Sequence, residues 1–594
     1  MGVKGSFYPG ESARTYGQSY GLASIIVIGF FALIFSSITI SSSLQKSPTY
    51  DEPFHLFAGY SYLRWGDFRT YPEHPPLAKL LAALPLLAMN IKDPRPLSPY
   101  WDLIPENHDS GWLVAHQFIF LENDAETLFF YAKFPMIAIG ILLGVFIYLW
   151  TKELSGFSAA LSALFFYGLD PNVLAHSPLT HTDIPFTAFF FIGTYFFWHA
   201  LGRLSWSNLF LASFFFGLSA ITKYSFFAII PVWGAFGLLK IFSSEPLQCT
   251  ISIFRKIPDR WRKMTLLVGL LLSVGLTAYF LIWASYAFRF KATAGDGPLL
   301  NFSVFQAQVG FLQTWASLAI QLQLFPEAWV YGLLYVLQFL KRPAYLLGEV
   351  SDSGFWLYFP VAFAAKTPLP TLLLLFGALG FLFFRWKERQ AELFLLIPVI
   401  FYFALAVLSG LNIGLRHLLP VYPFLFVLIG GAAAKLWSGG AVKRWGLILL
   451  ILWQLWSSLS VYPHYLAYFN ELVGGPKNGY KILTDSSLDW GQDLKGLKRW
   501  MDENGVRTIQ LGYFGTADPK YYGINAVYLP GSILFSSQPV GKSEEVPEYL
   551  AVSATYIYGV HSGKPLKEFY KPLRFRKPIA TIGHSIFIYR LDTG

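Results

Sequence analysis

A single cysteine, Cys249, is all that the sequence offers, which excludes an intrachain disulfide and any cysteine metal cluster. Charge is scarce too. Asp, Glu, Lys and Arg make up 13% of the 594 residues, about half the share of a soluble globular domain. Nucleotide-handling signatures are missing. The stretch "GGPKNGYK" at 474–481 has the glycines of a phosphate loop without its Gly-Lys-Ser/Thr ending, and no Gly-x-Gly-x-x-Gly follows a strand-like run. His-Glu-x-x-His and Gly-x-Ser-x-Gly are also absent. No repeat of solenoid length and no low-complexity tract is present. Residues 1–20 contain no apolar stretch, so no cleaved leader is expected there.

What the sequence does have is apolar length. Hydrophobic residues reach 54% and aromatic residues 19%, with a mean hydropathy of +0.45. These values describe an integral membrane protein whose aromatic side chains suit lipid-facing and interfacial positions. Apolar runs fall near 21–43, 134–151, 157–170, 184–201, 208–222, 225–241, 264–286, 367–384, 393–409, 418–436 and 445–461. At roughly 17–25 residues per span, short or proline-broken runs included, they predict a polytopic α-helical protein with about eleven transmembrane helices. "GILLG" at 140–144 suits a close-packed helix pair. The net charge of +10 does not point to nucleic acid, because the basic residues gather in short links between apolar runs. Arg255, Lys256, Arg260, Arg262 and Lys263 precede the seventh run; Arg385, Lys387 and Arg389 follow the eighth; Lys443 and Arg444 precede the eleventh. The positive-inside rule makes that side cytoplasmic, together with residues 1–20. The loops 44–133 and 287–366 and everything after 461 then lie outside the cytoplasm.

Beyond 461 the chain turns polar, and 462–594 reads as a small extracytoplasmic α/β domain after a transmembrane domain at 21–461. Leu494, Leu497 and Met501 form a helical stripe that stops at "ENG", and "TIQLGYF" has strand-like residues.

Charged groups collect at the outer ends of the apolar runs. In "SPTYDEPFHLFAGYSYLRWGDFRTYPEHPPLAKLLAALPLL", residues 47–87, Asp51 and Glu52 follow the first run closely. Neighbouring residues point in different directions, so at most one of the two aims at a given atom. Pro75 and Pro76 suit a helix start, and Leu77, Leu80, Leu81 and Leu84 give one apolar face, with Lys79 off it. This helix is too short to span and is expected in the outer interface, with Lys79 directed at whatever sits there. Asp183 opens the fourth run in "SPLTHTDIPF". Lys223 ends the fifth in "AITKYS", Lys366 stands before the eighth in "FAAKTPLP", and Arg416 and His417 open the tenth in "GLRHLLPVYP". Charges at membrane depth are costly and mark sites or pathways. Taken singly, each has a plain alternative: a solvated loop for Asp51 and Glu52, a helix cap for Asp183, headgroup contact for the cations.

An outward site meets no nucleotide sugar, so an activated donor has to arrive in the membrane, and a polyprenyl-phosphate sugar fits. Its leaving phosphate needs cations to hold it, and the acceptor hydroxyl needs one carboxylate base. A glycosidase would need two carboxyls flanking the bond. Together, "TYDEPFH", "EHPPLAKLL", "THTDIPF", "TKYS" and "RHLLPVYP" resemble the GT-C glycosyltransferases that use lipid-phosphate sugars, among them protein O-mannosyltransferases and lipid A aminoarabinose transferases, over residues 20–430. The resemblance implies a GT-C fold and an inverting displacement. It casts Asp51 as base, Glu52 as its support, Asp183 as a second acid in the same cavity, and Lys79, Lys223 and Arg416 with His417 as the donor-phosphate group. His74 and Lys366 are assigned to the acceptor side or to support. No metal ligand is assigned and no cofactor expected, although three acids have the chemistry for a divalent cation. The expected partners are a polyprenyl-phosphate sugar, membrane lipid, and a glycolipid, envelope-glycan or protein acceptor. The outer β-trefoil of eukaryotic O-mannosyltransferases is missing, which disfavours a peptide acceptor. A transporter or flippase of lipid-linked sugars is the alternative, and it would place charges at mid-membrane.

Overall fold

All eleven apolar runs fold as helices in the computed structural model, which describes residues 21–104, 109–249, 259–295, 299–305, 310–386, 390–532, 547–561 and 563–591. Among the described residues, seven helices are long and apolar enough to cross a bilayer alone: Gly21–Ser43, Ala125–Ser155, Asp183–Gly202, Tyr224–Phe242, Asp259–Ser285, Gln390–Ser409 and Leu415–Trp437. An eighth span results if Tyr358–Lys366 and Leu369–Phe384, bent by 113°, count as one. The bend falls at Thr367-Pro368, where the proline ring forbids helical continuation, and Pro370 restarts the helix in its first turn. The expected eleven spans therefore divide into seven or eight full ones and some shorter helices. Phe157–Gly168, with 12 residues, is about 18 Å long against a hydrocarbon core of about 30 Å. It packs between Ala125–Ser155 and Tyr422–Trp437, where a side chain at Gly430 would strike the Ala159 carbonyl.

Asp183, Lys223, Lys366 and Arg416 all sit at helix ends on one side of the bundle, not at mid-span. Lys152, Lys240, Lys263 and Arg444 mark the opposite ends. Of the basic links, Arg255, Lys256, Lys387 and Arg389 lie outside the described residues, as do residues 1–20.

On the charged side, helix Glu52–Trp65 crosses the short helix Leu77–Ala83 at Gly59, where an added Cβ would fall 2.0 Å from the Lys79 carbonyl oxygen. So close a crossing demands small residues, and the short helix buries its Ala78, Lys79, Ala82 and Ala83 face. The leucine face is therefore not the core face: Leu84 is 53% exposed, and Leu77, Leu80 and Leu81 are half-buried.

The residues after the last helix of the bundle form a five-stranded sheet. Its strands are β1 (Ile509–Gly512), β2 (Ala526–Tyr528), β3 (Tyr549–Ser553), β4 (Ala580–Ile582) and β5 (Ile586–Arg590), in the order β2-β1-β3-β5-β4. β1 runs parallel to β2 and β3, and β5 runs antiparallel to β3 and β4. Helix Leu494–Glu503 buries Leu494, Leu497 and Met501, as the stripe predicts. It ends before Gly505, whose φ of +65° suits a residue without a side chain. Bundle and sheet share one continuous apolar core. Between them, the segment Asp485–Asp493 reaches back to the loop after the first span. The Tyr50 amide donates to the Trp490 carbonyl at 2.8 Å, and the Ser47 amide to that of Gln492 at 3.0 Å.

Candidate active site

A cavity of about 250 Å³ opens at the charged end of the bundle. Asp51, Lys223, Arg416, His417 and His74 line it, joined by Glu73, Arg342 and an aromatic wall that includes Tyr50, Tyr71, Trp112 and Tyr335. Five of the nine expected site residues thus converge. The other four, Glu52, Asp183, Lys79 and Lys366, do not line the cavity.

Asp51 is the residue immediately before helix Glu52–Trp65, and its side chain is 20% exposed. Its Oδ2 lies 3.4 Å from His181 Nε2 and 3.9 Å from Arg416 Nη2. Burial alone would raise this carboxyl. The His181 hydrogen bond and the Arg416 guanidinium outweigh it and hold the group below its ordinary value, so it stays ionised.

Asp183 stands behind this wall at the start of helix Asp183–Gly202 and gathers the cations. Its Oδ1 accepts from Lys223 Nζ at 2.6 Å, and its Oδ2 lies 2.8 Å from His181 Nδ1 and 3.4 Å from Arg416 Nη1. Arg416 also donates from Nε to Ser486 Oγ at 3.1 Å, and its guanidinium lies over the Trp490 ring at 4.5 Å. Across the cavity, Arg342 pairs with Glu73 at 3.2 Å. Phosphate entering here meets guanidinium and ammonium groups whose positions are fixed beforehand.

Glu52 turns away from its neighbour. It accepts from the Thr49 amide and hydroxyl at 2.8 and 3.0 Å and from the Thr180 amide at 2.9 Å. One buried carboxylate thus ties the Asp51 loop to the segment that delivers His181 and Asp183. With Glu52 so engaged, the three acids do not converge as a ligand set for a cation. Lys79 is buried beneath the cavity floor, where Nζ donates to the Tyr71 and His74 carbonyls and to Tyr62 Oη. Burial pulls its pKa well down. Its placement differs from the expected phosphate contact because Gly59 draws that helix face inward. The Tyr71–His74 loop is gripped from the other side by helix Glu327–Gln338, where a Cβ on Gly332 would fall 1.9 Å from the Pro72 carbonyl oxygen. Lys366 donates to the Leu466 carbonyl at 2.9 Å and to that of Ser487, anchoring the bent pair to the C-terminal segment.

The sequence reading assigned no role to His181, Glu73, Arg342, Ser486 or Trp490. His181 was within view, two residues before Asp183 in "THTD", and Glu73 opens "EHPPLAKLL"; the others carry no local signal.

Residues 125–245 match the family described as dolichyl-phosphate-mannose-protein mannosyltransferase. That segment includes His181, Asp183 and Lys223, while Asp51 and Arg416 lie outside it. The chain resembles GT-C glycosyltransferases of the O-mannosyltransferase and ArnT kind. Among solved structures it is similar to ArnT from Cupriavidus metallidurans bound to undecaprenyl phosphate, with 11% identity over 95% of this chain and 98% of that one and a TM-score of 0.45. It is similar to the S. cerevisiae Pmt1-Pmt2 complex bound to the sugar donor, with 15% identity, 49% and 37% coverage and a TM-score of 0.36. The archaeal oligosaccharyltransferase AglB from Archaeoglobus fulgidus, in complex with an inhibitory peptide and a dolichol-phosphate, gives 14% identity, 89% and 61% coverage and a TM-score of 0.45. The chain thus spans 37% and 61% of the mannosyltransferase and oligosaccharyltransferase chains. No curated protein matches it.

Proposed function

We propose that the protein transfers a sugar from a polyprenyl-phosphate donor to an acceptor hydroxyl on the extracytoplasmic face of the membrane, with inversion and with Asp51 as the base. The observation that carries this reading is the Asp51 carboxylate facing the same cavity as Arg416, Lys223 and Arg342, where the other lining acid, Glu73, is paired with Arg342. Asp51 Oδ2 takes the proton of the acceptor hydroxyl as that oxygen bonds to the anomeric carbon. The bond from that carbon to the phosphate oxygen breaks, and its electron pair leaves with the phosphate, where the guanidinium and ammonium groups stabilise it. A phosphate leaving group needs no general acid, which suits a site with one free base. Asp183, Glu52 and Lys79 are positioning residues in this reading: they hold His181, Lys223, Arg416 and the two loops in place. His417 and His74 line the wall and are assigned to contacts with donor and acceptor respectively.

A second observation supports a lipid donor. An apolar groove of about 600 Å³, walled by Phe226, Phe227, Trp233, Val274, Trp315 and Trp329, adjoins the cavity. The turn Tyr224–Ala228 and helix Glu327–Gln338 line both, with Tyr224, Ser225 and Tyr335 toward the cavity and Phe226, Phe227 and Leu333 toward the groove. A chain lying in the groove brings its phosphate to the cations. The extracytoplasmic assignment follows from the basic residues at the opposite helix ends.

The test is a purified preparation of the full chain offered a panel of polyprenyl-phosphate sugars and envelope glycolipids, with transfer read by mass spectrometry. Asp51→Asn is expected to lower turnover by about 10²–10⁴-fold while donor binding persists. Full activity in that variant removes Asp51 as the base.

A further inference from the structure

His55 sits one turn beyond Asp51 on helix Glu52–Trp65, is fully buried, and has no hydrogen-bond partner at either ring nitrogen. A buried polar group without a partner needs an explanation, and an unplaced ion is one of the recognised ones. Two further imidazoles converge on it. The ring centroid of His74 is 5.6 Å from that of His55, His181 is 4.7 Å from His55, and His74 is 6.0 Å from His181. His74 Nδ1 is likewise without a partner. One nitrogen from each ring lies within 4.8 Å of the other two.

We propose that His55, His74 and His181 form a three-histidine site for a divalent transition-metal ion of the zinc class, next to Asp51. Three imidazoles with one position left open are the donor set of an open zinc site. Zinc–nitrogen bonds of about 2.0–2.1 Å place tetrahedral ligands roughly 3.4 Å apart, so the rings close by little more than 1 Å as an ion binds. The movement falls to the imidazole side chains, since the His74 backbone is held by Lys79. His181 has the outer partner a metal-binding imidazole requires: Nδ1 faces Asp183 Oδ2 at 2.8 Å, which leaves Nε2 for an ion. Arg416 Nη1 occupies that approach at 3.2 Å and moves aside when an ion arrives, keeping Ser486, Asp183 and Trp490 as partners. Asp51 Oδ2, 3.4 Å from the same nitrogen, is within reach of the fourth position.

The experiment uses the full chain in detergent, stripped with chelator. It is titrated with Co²⁺ alone, followed by the visible bands of four-coordinate cobalt, and then reloaded with Zn²⁺ for elemental analysis. The wild type is expected to take up about one ion per chain, and His55→Gln and His74→Gln to bind at least about tenfold more weakly. His199→Gln, whose imidazole pairs with Glu153 at 3.0 Å at the other end of the bundle, keeps the wild-type uptake. Zn²⁺ raises the melting temperature of the wild type and not of the two site variants. Uptake well below one ion per chain in the wild type, or unchanged uptake in His74→Gln, overturns the site. If His55→Gln fails to fold, His74→Gln decides alone, since its residue lies on a loop. The readout requires no sugar transfer, so its result is independent of the role given to Asp51.

Discussion

Lys223 and Lys79 are both buried ammonium groups close to the same cavity, and they show how its wall differs from the layer behind it. Lys223 has a carboxylate partner and a face toward open volume; Lys79 has two backbone carbonyls and a phenol, and no open volume. The same division separates Asp51 from Glu52. One carboxylate faces the cavity beside a histidine and an arginine, and the other is filled by backbone amides. A charge saturated by backbone groups fixes a chain path. A charge with spare capacity toward a cavity is available to a ligand.

Three substitutions test that division. Arg416→Lys removes the planar fork from the wall, and affinity for a polyprenyl phosphate in detergent is expected to fall roughly 10–100-fold. Unchanged affinity takes Arg416 out of the phosphate site. Lys79→Met, behind the wall, strips the Tyr71 and His74 carbonyls of their donor. It should lower stability by about 1–3 kcal/mol, seen as a lower melting temperature, while the folded fraction binds donor like the wild type. A selective loss of donor affinity with no thermal shift would return Lys79 to the wall. The smallest effect is expected at Asp489, whose Oδ2 accepts from the Thr555 amide at 3.0 Å while its Oδ1 has no partner. Burial pushes this carboxyl up to about 7. With the folded value above the unfolded one, the protein holds a proton that the unfolded chain has lost, and stability falls as pH rises from about 4 to 7. Asp489→Asn mimics the protonated form, so it should match the wild type in melting temperature at pH 4 and exceed it by a few degrees at pH 8. Parallel pH profiles for the two proteins would contradict this.

Much of this arrangement was legible in the chain. Apolar length marked eleven runs that fold as helices, and the Leu494, Leu497, Met501 stripe marked the amphipathic helix beside the sheet, because both signals are local and periodic. Asp51, Lys223 and Arg416 stood out as charges at the ends of apolar runs. What local sequence left open shares one cause. Whether Lys79 faces inward depends on Gly59, in a different helix. Whether Glu52 is consumed depends on Thr180, 128 residues away. Arg342 has no local signal, and only the fold sets it beside Glu73. Seven or eight of the spans are long and apolar enough to cross alone among the described residues, because an apolar run of 12 residues reads alike whether it crosses lipid or packs between longer helices.

The backbone pairing of Ser47 and Tyr50 with Gln492 and Trp490 joins the beginning of the chain to its last fifth. During synthesis, the loop that carries Asp51 therefore waits for more than four hundred further residues before it gains these backbone partners. A ribosome-bound chain stopped at the end of the helical bundle lacks the strut beneath Arg416, however well its helices are inserted. Assembly order thus leaves the cavity wall incomplete until the segment after the helical bundle has been translated.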